Sequence, residues 1–212
     1  LLVGATTEIM GQTFAVSHPA INRAAQGGVS FNNGPALAAF AFDPDILAMP
    51  FADVRADDWF APAVAFVYKH GLMVGTDEKT FSPSDSVTRG QLWMVLARLA
   101  GEAPESMDAA LEWAVANGVT DGTAPADDLT RQQLVTALYR YCALAEYDTS
   151  AAAELTGFPD GLSVADYAVD AMKWAIGVEI IKGSDGEIKP NDTATRAEFA
   201  AVMQRFCAKI DA

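Results

Sequence analysis

The chain is poor in the residues that build metal and redox sites. It has two cysteines and two histidines among 212 residues. No Cys/His cluster has metal-ligand spacing, and His18 and His70 are isolated, so a structural or surface role is favoured for both. Cys142 and Cys207 either meet as a disulfide or are two small buried hydrophobes. The second interpretation is favoured, because free cysteine is among the most buried residue types. We expect no metal and no cofactor.

Positive charge and long apolar runs are also scarce. There are 14 basic residues against 28 acidic ones, and the formal net charge is −14. This charge disfavours nucleic acid and anionic membrane as direct partners, and it suits an exported protein that must stay soluble. No apolar run reaches the length of a membrane span, so we expect no membrane insertion. With no initial Met and no basic segment before Leu1-Leu2-Val3, we expect a mature product or a fragment of something longer.

The most informative pattern is a helix start that occurs three times. Each copy reads Thr-Arg-x-Glu/Gln before apolar residues at helical spacing, and the copies begin at Thr88, Thr130 and Thr195. The Thr hydroxyl and the Glu or Gln side chain three residues later form a capping box. Three copies of one motif in a short chain indicate an internal repeat.

The arginine of each start, Arg89, Arg131 or Arg196, is not explained by capping. The first turn of a helix favours acidic side chains, because the positive end of the helix dipole lies there. A guanidinium beside free helix N–H groups would form a small anion pocket. The alternative is that each arginine pairs with a nearby acid on a solvated face, which adds little stability.

The sequence around these starts divides into units of about 51–101, 102–148 and 149–212. The first unit opens with Phe51-x-Asp53 and Trp59, and the third with Phe158-x-Asp160 and Tyr167 at corresponding positions. The second unit lacks this opening, and its loop before the Thr-Arg start is shorter. The third unit has Glu179 where the other two have glycine, so we expect its turn to differ.

Two of these aromatics and two acids are candidate ligand contacts. Trp59 and Tyr167 lie at a helix start beside loop acids, where stacking on a sugar and packing within the protein are equally expected. Asp53 and Asp160 either bind a ligand or cap a turn, and capping is favoured.

Residues 1–50 differ in composition from the rest. They hold few charges and several Gly, Asn and Pro turn signals. Residues 29–31 and 40–42 are interpreted as short strands, and 20–25 as a helical turn or two. The segment is interpreted as a linker, an arm or the end of an upstream domain.

Together, Phe-x-Asp, the aromatic at the helix start, Gly-(Leu/Val)-x-x-Gly, Phe-x-Pro and Thr-Arg resemble the S-layer homology domain, over about residues 51–212. The resemblance implies an all-α fold in which three pseudo-threefold helix-loop-helix repeats surround a central three-helix bundle. It also implies a function, the non-covalent anchoring of an exported bacterial protein to secondary cell-wall polysaccharide. We therefore expect a protein secreted to the cell wall or cell surface.

The resemblance further implies that grooves between neighbouring units hold an acidic, often pyruvylated, sugar. A ketal-linked pyruvate carries a carboxylate, which an Arg fork matches with two parallel hydrogen bonds. Alanine at Arg196 is expected to weaken binding while the helices remain. At most two competent grooves are expected, and the groove involving the second unit is the most doubtful. The predicted ligand-binding residues are Arg89, Arg131, Arg196, Asp53, Trp59, Asp160 and Tyr167.

Two other functions are considered. One is a structural or protein-interaction surface domain with decayed sugar grooves, including possible self-assembly. The other is a hydrolase using the adjacent acids Asp57-Asp58 or Asp127-Asp128. Adjacent loop acids are usually solvated turns, and no nucleophile–His–acid set is visible. We therefore expect no enzyme in this chain.

Overall fold

The computed structural model describes residues 6–9, 12–15 and 49–210. The chain divides into two compact units, Leu1–Phe42 and Asp43–Ala212. In the first unit, strands β1 (Thr6–Ile9) and β2 (Gln12–Ala15) form an antiparallel hairpin with Thr6 opposite Ala15. The sequence analysis did not predict this hairpin. The strands expected at 29–31 and 40–42, and the helix at 20–25, lie outside the described residues.

Residues 49–210 are helical, which confirms the all-α prediction for this part of the chain. Three short 3-10 helices, Leu155–Gly157, Gly161–Ser163 and Asp166–Ala168, precede the fifth α-helix. Among the described residues there are six α-helices: α1 (Ala61–Lys69), α2 (Arg89–Leu99), α3 (Met107–Ala116), α4 (Arg131–Leu144), α5 (Val169–Gly177) and α6 (Arg196–Ile210).

Helices α2, α4 and α6 begin at the predicted capping boxes. The Thr195 hydroxyl accepts a hydrogen bond from the Glu198 N–H at 3.2 Å, and the Glu198 carboxylate accepts one from the Thr195 N–H at 2.9 Å. The same reciprocal bonds form at Thr88 and at Thr130 with a glutamine as partner. Each cap contributes about 1 kcal/mol of helix stability. These short-range bonds fix where the three helices start.

Helices that pack together belong to different sequence units. Helix α2 packs against α3, α4 against α5, and α6 against α1. The capped helix of each predicted unit therefore lies on the first described α-helix of the next unit, and α6 packs back on α1.

Backbone hydrogen bonds between the loops also form a closed cycle. The Val87 N–H donates to the Ala194 carbonyl at 3.0 Å, the Ala194 N–H to the Leu129 carbonyl at 2.9 Å, and the Leu129 N–H to the Val87 carbonyl at 2.7 Å. All three side chains are buried, and each residue directly precedes a capping threonine. The rings of Tyr141 on α4 and Phe206 on α6 meet edge to face at 6.0 Å. The central three-helix bundle stays a prediction.

The turn after the first helix of each unit is left-handed. Gly71 after α1 has φ of 67°, Gly118 after α3 has 68°, and Glu179 after α5 has 61°. The Ile180 N–H then closes the third turn by donating to the Ala175 carbonyl at 2.9 Å. The expectation that Glu179 changes the turn is wrong, because the glutamate adopts the conformation that glycine supplies elsewhere.

Both cysteines are buried thiols. Cys142 is 1% exposed and Cys207 is 5% exposed, which confirms the buried-hydrophobe interpretation. Burial raises the pKa of the Cys142 thiol to about 12, so it stays protonated at neutral pH.

Candidate functional site

Each arginine of the Thr-Arg starts lines its own cleft. The Arg89 cleft, which Tyr167 also lines, has a volume of about 360 Å³. The Arg131 cleft, lined by Trp59, has about 270 Å³. The Arg196 cleft, lined by Met107, has about 180 Å³. The sequence predicted these arginines as site residues, and their three surroundings differ.

The helix N–H groups beside these arginines are not free. The Arg131 N–H donates to the Asp192 carbonyl at 3.0 Å, and the Gln132 N–H donates to the Pro190 carbonyl at 3.0 Å. Equivalent bonds cover the starts of α2 and α6. The predicted pocket of guanidinium and free N–H groups is therefore wrong, because a neighbouring loop and the capping box already satisfy the helix end. An anion in a cleft would meet side chains.

In the Arg89 cleft, the arginine is paired with an acid. Its Nη2 atom donates to Asp121 Oδ1 at 2.8 Å and to the Thr123 hydroxyl at 3.3 Å. The backbone N–H and hydroxyl of Thr123, followed by the charge of Arg89, hold the pKa of Asp121 below its usual value. Tyr167 lines this cleft and is 55% exposed. The acid-pair alternative from the sequence analysis therefore holds for Arg89.

In the Arg131 cleft, positive charge is not neutralised by contact. Arg131 Nε donates to the Ile188 carbonyl at 2.9 Å, and Lys182 and Arg205 line the same cleft. Among the described residues, no carboxylate oxygen lies within 4.0 Å of any of these three cationic groups. The one acid in the lining, Glu198, is engaged in its capping box.

An exposed indole lies in this same cleft. Trp59 lines it with 67% of its surface exposed. It precedes α1, and its ring meets that of Phe60 edge to face at 5.4 Å. The Arg131 cleft thus combines a cationic wall with an aromatic surface that faces solvent.

The Arg196 cleft is the smallest of the three, and its arginine is buried. Arg196 is 6% exposed, and its Nε and Nη2 atoms donate to the carbonyls of Phe81 and Val74, each at 2.7 Å. Burial lowers the pKa of Arg196, whereas the charges of Asp85 and Asp53 oppose this shift. The Arg196 guanidinium is therefore occupied by the protein itself.

A methionine, Met107, lines the Arg196 cleft beside the start of α2. A Cβ atom added at Gly90 would lie 2.5 Å from the Met107 sulfur. Glycine at the start of α2 thus makes room for this side chain.

The two predicted acids cap loops, as the favoured interpretation held. The Asp160 carboxylate accepts from the Ile188 N–H at 2.9 Å and from the Lys189 N–H at 2.6 Å. Asp53 accepts equivalent bonds from Phe81 and Ser82 at 2.8 and 2.7 Å. Burial raises the pKa of Asp160, but these N–H donors outweigh it, and the pKa lies below its usual value. A direct ligand contact for either acid stays a prediction.

These acids position the arginines through one loop residue. Ile188 donates its N–H to Asp160 and accepts a bond from Arg131 at its carbonyl. Phe81 connects Asp53 to Arg196 in the same way. Arg89 instead bonds the shorter loop of the second unit through Asp121 and Thr123.

The sequence analysis missed a second set of arginines, nine positions after the first. Arg98, Arg140 and Arg205 line the Arg196, Arg89 and Arg131 clefts respectively. Arg98 donates to the Leu72 carbonyl at 3.0 Å, and Arg140 to the Val119 carbonyl at 3.4 Å. The constant spacing of nine residues from the Thr-Arg arginine was the signal that could have found them.

Within the described ranges, none of the helices has both the length and the apolar character needed to cross a membrane. The same ranges contain no group of three His, Cys, Asp or Glu side chains arranged to hold a metal ion.

Two stretches of the chain, residues 50–92 and 157–200, match the family model of the S-layer homology domain. They include most of the first predicted unit and most of the third. The part of the predicted second unit that carries Arg131 lies between the two matches.

Several curated proteins are similar to this chain over most of its length. An endoglucanase of Bacillus sp. (strain KSM-635) is 31% identical over 180 residues, which cover 77% of this chain and 19% of the endoglucanase. An amylopullulanase of Thermoanaerobacterium thermosulfurigenes is 25% identical over 201 residues, or 85% of this chain and 10% of that protein.

A surface-layer 125 kDa protein of Lysinibacillus sphaericus is 24% identical over 166 residues, which cover 76% of this chain and 10% of that protein. The chain therefore spans a fifth or less of the length of these relatives.

Proposed function

We propose that the Arg131 cleft binds an acidic saccharide of the bacterial cell wall, and that this chain thereby anchors an exported protein non-covalently at the cell surface. The observation that carries the proposal is the cluster of Arg131, Lys182 and Arg205, which has no carboxylate in contact among the described residues and lies beside the exposed Trp59.

Electrostatics supports an anionic ligand. The chain as a whole is strongly acidic, with a net charge of −14, yet this cleft is lined by three cationic side chains and one acid. A polymer with negative charge would be repelled at long range, and salt would screen that repulsion beyond roughly 10 Å. Inside the cleft, the local guanidinium and ammonium groups dominate.

The shape and chemistry of the lining support a sugar. A cavity of about 270 Å³ can hold a small ring with a substituent, and an indole face packs against the C–H groups of a sugar ring. A pyruvyl ketal adds a carboxylate to such a ring, and Arg forks recognise carboxylates through paired hydrogen bonds. A pyruvylated amino sugar is therefore the proposed ligand.

The comparisons support a role that is separable from catalysis. An endoglucanase, an amylopullulanase and a surface-layer protein each match this chain over a minor part of their own length. A shared anchoring segment explains why proteins with such different names resemble this chain over one part of their length. We propose that this segment is not itself an enzyme, and that any catalytic activity of the whole protein resides elsewhere.

The test compares binding to purified secondary cell-wall polysaccharide before and after chemical removal of its pyruvyl groups. The wild-type chain is expected to bind the pyruvylated polymer and to lose most of its affinity for the treated one. Arg131→Gln should weaken binding at least about tenfold, since a hydrogen bond to a charged group contributes about 1.5–3 kcal/mol.

The matched control is Lys79→Gln. It removes one positive charge from an exposed residue that lines none of the three clefts, so its affinity should equal that of the wild type. Equal binding to the two polymer preparations would refute recognition of the pyruvyl group.

A second candidate function is a structural or self-associating surface domain whose sugar clefts have decayed. The bonds already made by Arg89 and Arg196 favour it, because an acid pairs with Arg89 and two backbone carbonyls accept from Arg196. It predicts no retention on either polymer, together with concentration-dependent association measured by sedimentation.

A further inference from the structure

The Arg131 cleft contains a second arginine that comes from another part of the chain. Arg131 is the first residue of α4, and Arg205 lies in the third turn of α6. Both side chains line the same cavity. Two guanidinium groups from separate helices therefore share one small space.

Arg205 differs from its two sequence equivalents in what it bonds. Arg98 and Arg140 donate to the carbonyls of Leu72 and Val119, residues outside their own helices. Arg205 Nε donates to the Ala201 carbonyl, four residues earlier in its own helix, at 3.1 Å. The fork of Arg205 is therefore not committed to a neighbouring loop.

Arg205 lies close enough to Arg131 to be affected by its positive charge. Partial burial, followed by the nearby positive charge of Arg131, lowers the pKa of Arg205. The other charged groups facing the pair are Lys182 and the capping carboxylate Glu198, and Asp160 lies close enough to sense the charge of Arg131. A bound carboxylate between the two forks would relieve this repulsion.

Resting on the function proposed above, we infer that Arg205 is a second anion-binding residue and that one saccharide carboxylate is held between the forks of Arg131 and Arg205. Two planar forks on one carboxylate account for selection of a pyruvyl carboxylate over an uncharged substituent at the same ring position. Arg140, at the equivalent place in the Arg89 cleft, has a structural role in this view.

The test is a double-mutant cycle in which isothermal titration calorimetry measures the affinity of the full chain for pyruvylated wall polysaccharide. Arg205→Gln is expected to weaken binding at least about tenfold, and Arg131→Gln/Arg205→Gln should weaken it by less than the product of the single effects, because both forks act on one group. Arg205→Lys should fall between wild type and Arg205→Gln, since it keeps the charge but not the fork.

Arg140→Gln is the matched control, and its affinity should equal that of the wild type. A second readout does not depend on how well the variants fold. In the wild-type chain, the Nε–H resonances of both Arg131 and Arg205 should shift when the polymer is added, and that of Arg140 should not.

The outcomes separate this inference from the function beneath it. Suppose that wild type binds and Arg131→Gln does not, while Arg205→Gln binds as tightly as wild type. If the Arg205 resonance of the wild-type chain also fails to shift, the second-fork role is overturned and the anchoring function stands. Additive effects of the two single variants would likewise overturn the shared carboxylate. Failure of the wild type to bind either polymer would overturn both.

Discussion

Arg196 on α6 donates a 2.7 Å hydrogen bond from Nε to the carbonyl of Phe81, a residue 115 positions earlier in the chain. Its Nη2 atom reaches the Val74 carbonyl, 122 positions earlier, at the same distance. A buried side chain thus joins α6 to the loop between α1 and α2. That alanine at Arg196 weakens binding while the helices remain stays a prediction, and these two bonds add an expected loss of stability.

Arg196→Gln is expected to lower the free energy of unfolding by about 2–4 kcal/mol, because two buried carbonyls lose a charged donor. Urea unfolding followed by circular dichroism measures this. Arg131→Gln serves as the comparison, since Arg131 is less buried and makes one such carbonyl bond, and its loss of stability should be smaller. Equal losses in the two variants would contradict a larger stabilising contribution from the two Arg196 bonds.

Asp121→Asn is expected to create a second anion site. The substitution removes the carboxylate that pairs with Arg89 at 2.8 Å and leaves a cleft of about 360 Å³ beside the exposed Tyr167. Affinity for pyruvylated polymer should rise severalfold, because two linked sites on one polymer gain from effective concentration. Calorimetric titration measures the change, and Asp121→Asn/Arg89→Gln should return to the wild-type value. An unchanged affinity in Asp121→Asn would mean that the ion pair does not close this cleft.

Asp160 should contribute acid-sensitive stability to the loop that positions Arg131. Its pKa in the folded chain is lowered, so its contribution is fully present above the unfolded pKa of about 4 and is lost as the pH falls through the folded value. Asp160→Asn is expected to be less stable than wild type at neutral pH, with a difference that shrinks below about pH 4. Urea unfolding over a pH series measures this, and a difference independent of pH would contradict it.

Glu179→Gly is expected to raise the free energy of unfolding by about 0.5–1 kcal/mol, because it relieves a non-glycine residue held at φ of 61°. The reciprocal variant is Gly118→Ala, at φ of 68° with open space around the added Cβ, which should lower stability by about 1 kcal/mol through conformation alone. Thermal unfolding of both variants measures these two changes in stability. Stability changes of the same sign would contradict the shared turn geometry.

The helix starts were predictable because capping is local. A Thr hydroxyl and the Glu or Gln side chain three residues later need no information from the rest of the fold, and all three boxes form as expected. The burial of Cys142 and Cys207 was predictable from residue type alone. The pairing of α6 with α1 was not, since no property of either helix taken singly names a partner so far along the chain.

The sequence predicted which Thr-Arg arginines and which aromatics line the clefts, but not what each arginine bonds. Whether the helix N–H groups beside Arg131 are free depends on the carbonyls of Asp192 and Pro190, which come from another unit. The fates of Arg89 and Arg196 likewise depend on loops that pack from outside their own helices. Arg205 was visible in the sequence by its spacing, but its lack of a loop partner required the structure.

The cycle of bonds through Val87, Ala194 and Leu129 joins three helix starts and closes only when all three are present. A solenoid can be lengthened or shortened repeat by repeat. Removal of one helix start here would leave one neighbouring N–H and one neighbouring carbonyl without a hydrogen-bond partner. Mutations that abolish ligand capture in one cleft can therefore accumulate, but the stretch that forms the cleft cannot be deleted. If the chain binds polymer through the Arg131 cleft, as we propose, this constraint accounts for the retention of the regions around Arg89 and Arg196.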